Sequence, residues 1–213
     1  MSVLIGIYLH FVNFAVTKKQ HVLDLFKASQ VIRPRDVEAI GISGTYLYRL
    51  YAEGQLDRPS RGLYTLPDSE PSENRSIVEA CKLSPGATVC LLSALRMHDL
   101  TTQSPFEVWL AIGDKDRKPR IEYPPVRVVH FSGDALSFGV VKRKVEGVDV
   151  RLYTPAKTVA DCFKYRNKIG LDVAIEALRD CLQQRKATMD QLWEAAKACR
   201  MTNVMRPYLE SLH

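Results

Sequence analysis

Between Val22 and Leu66 the spacing of apolar residues changes from helical to alternating, and that change predicts the elements. Val22, Leu23, Leu25 and Phe26 recur at helical spacing and form one apolar stripe. Arg33 and Pro34 open a second, short helix, since proline fits a first helical turn whose N–H has no intrahelical partner. Val37 and Ile40 give that helix its buried side, and Gly41 stops it. Ser43 is placed to cap a third helix. The third helix buries Leu47 and Leu50, with Tyr46 or Tyr51 flanking them, and turns Gly44, Thr45, Tyr48, Arg49 and Ala52 outward before Gly54 ends it. The period then drops to two. Leu56 and Arg58, followed by Gly62 to Leu66, predict a small hairpin with Pro59 and Ser60 at its tip, flanked by Arg58 and Arg61. Two helices joined by a tight glycine turn, followed by a cationic ribbon, make a winged helix-turn-helix. Its outward helix suits the DNA major groove, and its wing suits phosphates or the minor groove.

Beyond Leu66 the pattern is mixed. Residues 67–73, PDSEPSE, read as a short linker. Asn74–Leu83 and Ala87–His98 predict helices around a turn at Ser84, Pro85 and Gly86. Phe106–Ile112 and Val126–Phe131 predict strands, separated by a polar loop carrying Lys115, Arg117, Lys118 and Arg120. Val140–Val145 and Val148–Tyr153 predict a hairpin turning at Glu146 and Gly147, with Lys142 and Lys144 on one face and Arg143 on the other. Thr154 as N-cap and Pro155 at the first position start a helix ending at Gly170. Leu171–Gln184, Met189–Cys199 and Val204–Leu212 predict three further amphipathic helices, with Thr188 and Thr202 as caps for the last two. The expected fold class is α+β: an N-terminal winged helix-turn-helix over 18–66, then a mixed C-terminal domain over 74–213 with a small sheet and a helical tail. Residues 1–17 form an apolar leader. It is too short to span a bilayer comfortably and lacks a clear signal-peptide charge and cleavage pattern. It reads as an extra element, an oligomer contact or sequence upstream of the native start.

Composition narrows the function more than the fold. A formal charge of +6 over 213 residues suits an anionic partner. Five cysteines, an odd number without CxxC spacing, point to core thiols in a reducing cytoplasm rather than a disulfide framework or a zinc site. No phosphate-binding glycine loop, HExxH or GxSxG is present, so an enzyme, a metal and a cofactor are not expected. His98 ends a helix without a catalytic partner at a recognisable spacing, and His130 reads as a strand-face residue. Asp116, Arg117 and Lys118 spell the D-x-K of a metal-dependent nuclease, but in a proline-flanked loop rather than on an apolar strand.

The stretch YLYRLYAEGQLDRPSRGLYTLPD resembles the winged head of AbiEi-type antitoxins, and the resemblance continues in LLSALRMHDLT and in YTPAKTVADCFKYRNKIGLDVAIEAL, where Thr158 and Asp161 are the family-like polar pair. It spans the chain from about Lys18 onward, and the order and spacing of the blocks carry it. The resemblance implies a bacterial antitoxin of a type IV toxin–antitoxin pair that acts in abortive infection. It implies binding to inverted repeats in its own promoter, as a dimer or as two cooperating monomers, and it implies that the C-terminal domain counteracts a nucleotidyltransferase-like toxin with or without contact. The expected DNA-contacting residues are Thr45, Tyr48 and Arg49 on the outward helix, and Arg58, Ser60 and Arg61 on the wing. Lys18, Lys19 and Arg35 would position the head on the backbone. The alternative is a ligand-responsive winged-helix regulator without a toxin partner.

Overall fold

The computed structural model describes residues 17–69 and 72–212. The apolar leader up to Val16 lies outside them, as do Glu70 and Pro71 of the linker. Three helices open the described chain: α1 (Lys18–Ala28), α2 (Pro34–Glu38) and α3 (Thr45–Ala52). They enclose a small core of Val22, Phe26, Ile32, Val37, Ile42, Leu47, Leu50, Leu56 and Tyr64. The strands β1 (Asp57–Ser60) and β2 (Leu63–Thr65) form the hairpin. Ile32 joins it as a third rung, exchanging both backbone hydrogen bonds with Tyr64 at 3.0 Å.

The second part is a five-stranded mixed sheet with helices on both faces. Its elements in chain order are α4 (Arg75–Leu83), β3 (Thr88–Val89), α5 (Leu91–Met97), β4 (Val108–Gly113), β5 (Val126–Phe131), α6 (Asp134–Ser137), β6 (Val140–Val145) and β7 (Val148–Tyr153). The strand order is β5-β4-β3-β7-β6, with β3/β7 and β4/β5 parallel and the other two pairs antiparallel. The chain then runs through α7 (Pro155–Lys164), α8 (Arg166–Ile169), α9 (Leu171–Gln183), α10 (Met189–Ala198) and α11 (Thr202–Glu210). Alternation along β4 splits the core. Trp109 and Ala111 face a cluster built with α5, α7, α9, α10 and α11, whereas Val108, Leu110 and Ile112 face α4. The α+β class and the order of its parts are as expected.

The head is seated on the α4 face of the sheet. Val31 and Leu63 belong to the same buried cluster as Val89, Leu110 and Leu152. Polar contacts frame that seat: Lys82 pairs with Asp36 at 2.8 Å, the Arg33 guanidinium donates to the Lys82 carbonyl, and Ser72 bonds Glu146. The turn between β6 and β7 comes so close that a Cβ on Gly147, whose φ is +79°, would lie 1.6 Å from the Ala28 carbonyl oxygen.

Several elements depart from expectation. Ala87–His98 is not one helix. Thr88 and Val89 form the central strand, and the helix begins at Leu91. A strand buried on both faces shows a continuous apolar run, which periodicity does not distinguish from a buried helix. The strand expected from Phe106 begins at Val108, and Phe106 is 87% exposed. Thr202 lies inside α11 rather than capping it, while Thr188 does cap α10 in a reciprocal arrangement with Gln191. Thr154 stands at the N-cap of α7 without a side-chain capping bond, and α8 intervenes before Gly170.

Candidate nucleic-acid interface

The turn between α2 and α3 sets the pose of the outward helix. Gly41, with φ +79°, reverses the chain after α2. Helical counting from Val37 therefore fails: Ile40 is 45% exposed, and Ile42 takes the buried position expected for it. Ser43 does not cap α3. Its hydroxyl shares a 2.9 Å hydrogen bond with the Thr45 hydroxyl, and Gly44 occupies the N-cap. Gly44 is required by packing within the head. A Cβ there would sit 2.7 Å from the Pro34 Cβ and 2.8 Å from a Glu38 carboxylate oxygen. That contact brings α2 and α3 together.

On α3, Leu47 and Leu50 are buried and Tyr46 is partly buried against the same core. Thr45, Tyr48, Arg49 and Ala52 face outward, as expected, and Tyr51 is exposed beside Tyr48, with ring centroids 6.1 Å apart. The Arg49 guanidinium lies 4.7 Å above the Tyr46 ring, and its Nε is 3.4 Å from the Glu53 carboxylate.

The wing tip is shifted from its expected place. Ser60 pairs with Leu63, so Arg61 and Gly62 form the turn, while Pro59 and Ser60 belong to β1. Gly62, with φ +80°, supplies the conformation the turn needs. Pro59 is tolerated because β1 is an edge strand, where a missing N–H breaks no ladder. Arg61 is thereby placed at the tip itself, exposed, with Arg58 exposed on the strand behind it. The Ser60 hydroxyl is buried without a partner and lines a cleft of about 330 Å³ between the wing and residues 120–123. Lys18 and Lys19 open α1, Arg35 lies in the first turn of α2, and all three are exposed. Among the described residues, Lys18, Lys19, Arg35, Arg58 and Arg61 take part in no ion pair.

The other residues with possible chemistry are engaged structurally. Asp161 is fully buried and pairs with the equally buried Lys157 at 2.6 Å, while the Cys199 thiol lies 3.4 Å from its other oxygen. The Lys157 ammonium also sits 3.9 Å from the Tyr153 ring centroid and 4.7 Å from that of Phe131. Burial raises the Asp161 pKa, and Lys157 opposes the shift. The expected polar companion of Asp161 was Thr158, and its pairing with Lys157 was not foreseen. The signal of that pairing was the i,i+4 spacing of opposite charges on one helix. His98 caps α5 and hydrogen-bonds through Nε2 to the Tyr153 carbonyl at 2.7 Å, and burial lowers its pKa. The five cysteines are buried, and burial pushes the Cys81 and Cys199 thiols up to about 12. A thiol so shifted is a poor nucleophile. Asp116 turns its carboxylate back to the Gly113 N–H at 2.9 Å, in a loop outside the sheet. Among the described residues no group of three acidic, histidine or cysteine side chains could hold a metal ion.

Residues 20–67 match the family model described as a transcriptional regulator, AbiEi antitoxin. The matched span is the winged head, so the resemblance to AbiEi antitoxins is borne out there. No curated protein matches the chain significantly. A solved structure similar over most of the chain is that of the RV2827C protein from Mycobacterium tuberculosis, with a TM-score of 0.61 at 11% identity, covering 90% of this chain and 77% of that one. At that identity the likeness is one of fold. No helix among the described residues is long and apolar enough to cross a membrane.

Proposed function

We propose that this chain is the cytoplasmic antitoxin of an AbiE-like type IV toxin–antitoxin pair and that it represses its own operon by binding inverted repeats in the promoter. The observation that carries the reading is the winged head, whose geometry and family match coincide over the same residues. Thr45, Tyr48 and Arg49 would face the major groove. Arg58 and Arg61 would reach the phosphates or the minor groove, and Lys18, Lys19 and Arg35 would hold the flanking backbone. Two lysines at the start of α1 face the positive end of that helix, where a cation is disfavoured. A nearby phosphate would offset that cost. Ser60, whose hydroxyl is turned into the adjoining cleft, would contribute to the wing through its backbone. The sheet domain would counteract a nucleotidyltransferase-like toxin, and no catalytic role is assigned to it. The test is genetic: the chain should silence a reporter driven by its own upstream DNA and restore growth to cells expressing the adjacent toxin. Failure of silencing removes the repressor role, and failure of rescue removes the antitoxin role.

One feature favours a second reading, a ligand-responsive regulator. A cavity of about 550 Å³ between Phe138, Pro155, Ala156 and Ala187 has an apolar floor and a rim carrying Lys186, Asp190 and Glu194. A saturable rise in Tm with a small molecule, abolished by filling the cavity through Ala187→Phe, would support it. Toxin rescue unaffected by that variant would favour the first reading.

A further inference from the structure

The central stripe on the outward face of α3 carries no charge. Thr45, Tyr48 and Ala52 follow one another at i, i+3 and i+7, which places them along one line of the helix surface. Tyr48 lies at the fourth position of the helix and is 57% exposed. The Thr45 hydroxyl shares a hydrogen bond with Ser43, and its methyl group offers an apolar contact on the same line as Tyr48. The one cation on this face, Arg49, lies beside the stripe, with its guanidinium stacked over Tyr46 and paired with Glu53. The N-terminal residues of such a helix reach base edges, whereas its C-terminal end approaches the backbone. The N-terminal half of the stripe thus offers the groove a methyl group and an aromatic ring. In the major groove only thymine presents an apolar group, its C5 methyl, and threonine methyl, alanine and aromatic carbons are its natural partners.

We infer that Tyr48, supported by Thr45, determines sequence specificity by packing on thymine methyl groups, so that the half-site is recognised through thymines and Arg49 contributes phosphate affinity instead of guanine readout. The inference rests on the reading of the head as a DNA-binding element and goes beyond it by naming the base and the contacting group. Tyr48 touches the base through its ring carbons, so its hydroxyl is dispensable.

The test begins with the full chain and a random duplex pool, from which the bound sequences are selected. Each thymine of the selected site is then replaced by deoxyuridine, which removes the C5 methyl and keeps base pairing. Affinity should fall about fourfold for each contacted methyl lost, the amount expected for exposing one apolar carbon. Tyr48→Phe should keep this sensitivity to uracil. Tyr48→Ala, too short to reach the methyl groups the ring touches, should lose the uracil penalty at those positions and keep it at any touched by Thr45, whereas Arg49→Ala should weaken thymine and uracil sites by the same factor. A merely structural role for Tyr48 would not produce this dependence on a single methyl group. If a sequence is enriched and uracil substitution leaves its affinity unchanged, the inference is overturned and the DNA-binding reading stands. If no sequence is enriched, sequence-specific DNA binding by this head is overturned, and the inference with it.

Discussion

Lys157 and Asp161 face each other at 2.6 Å where water does not reach. Removing one member leaves an uncompensated charge inside the protein, which costs about 3–5 kcal/mol. Asp161→Ala should therefore lower the urea midpoint by that equivalent, and an unchanged midpoint would show that the pair carries no such weight. Replacing both residues with apolar side chains of similar volume should cost much less. His98 gives a pH dependence. Burial, with Lys186 and Arg143 adding to it, holds its pKa below the ordinary value of 6.5 despite the hydrogen bond to Tyr153. The unfolded chain thus takes up a proton more readily than the folded one. His98 contributes its full stability above about pH 6.5, and that contribution falls as pH drops through the folded-state pKa. Urea midpoints over about pH 7.5 to 5.5 should show this decline, reduced in His98→Gln, which keeps a neutral donor. Equal slopes for the two proteins would contradict it. The i,i+4 charges of α7 could be seen in the chain. Their burial could not, because alternating charges on a helix ordinarily mark a solvated face.

At the scale of elements, the helix-turn-helix was legible because glycines at positions 41 and 54 end helices and the apolar pattern between them is periodic. What escaped was set by neighbours in space. The wing turn fell two residues later than expected, since Pro59 and Ser60 resemble turn residues while the positive φ is needed at Gly62. The strand Thr88–Val89 was hidden because it pairs on both sides and its burial erases alternation. Gly44 is the position where an element depends on one missing atom. The Pro34 ring is rigid, so Gly44→Ala must push α3 away from α2. Overpacking of this kind costs about 1–3 kcal/mol. The variant should melt earlier and bind DNA more weakly than Ala52→Gly, which alters the same helix without that clash. Wild-type melting and affinity for Gly44→Ala would refute the account of the turn.

Across the whole molecule, the head and the sheet domain are mechanically joined through Val31, Leu63, Lys82 and the turn at Gly147. Gly147→Ala, which adds an atom facing the Ala28 carbonyl, should loosen that seat. Protease cleavage between Leu66 and Asn74 should then be faster than in the parent chain, and an identical rate would indicate that the seat tolerates the change. Sequence pattern could show two regions and a short linker between them, but a contact between two surfaces distant in the chain leaves no periodic trace. The central claim is that the winged head binds specific DNA. The most direct measurement is a gel-shift titration of the full chain on the DNA upstream of its own gene, against a scrambled duplex, over a range of salt concentrations. The predicted result is preferential binding to the upstream DNA that weakens with salt, with a slope reduced by about 2 in Arg58→Ala/Arg61→Ala as two phosphate contacts are lost. Binding to the upstream DNA no tighter than to the scrambled duplex would contradict the account.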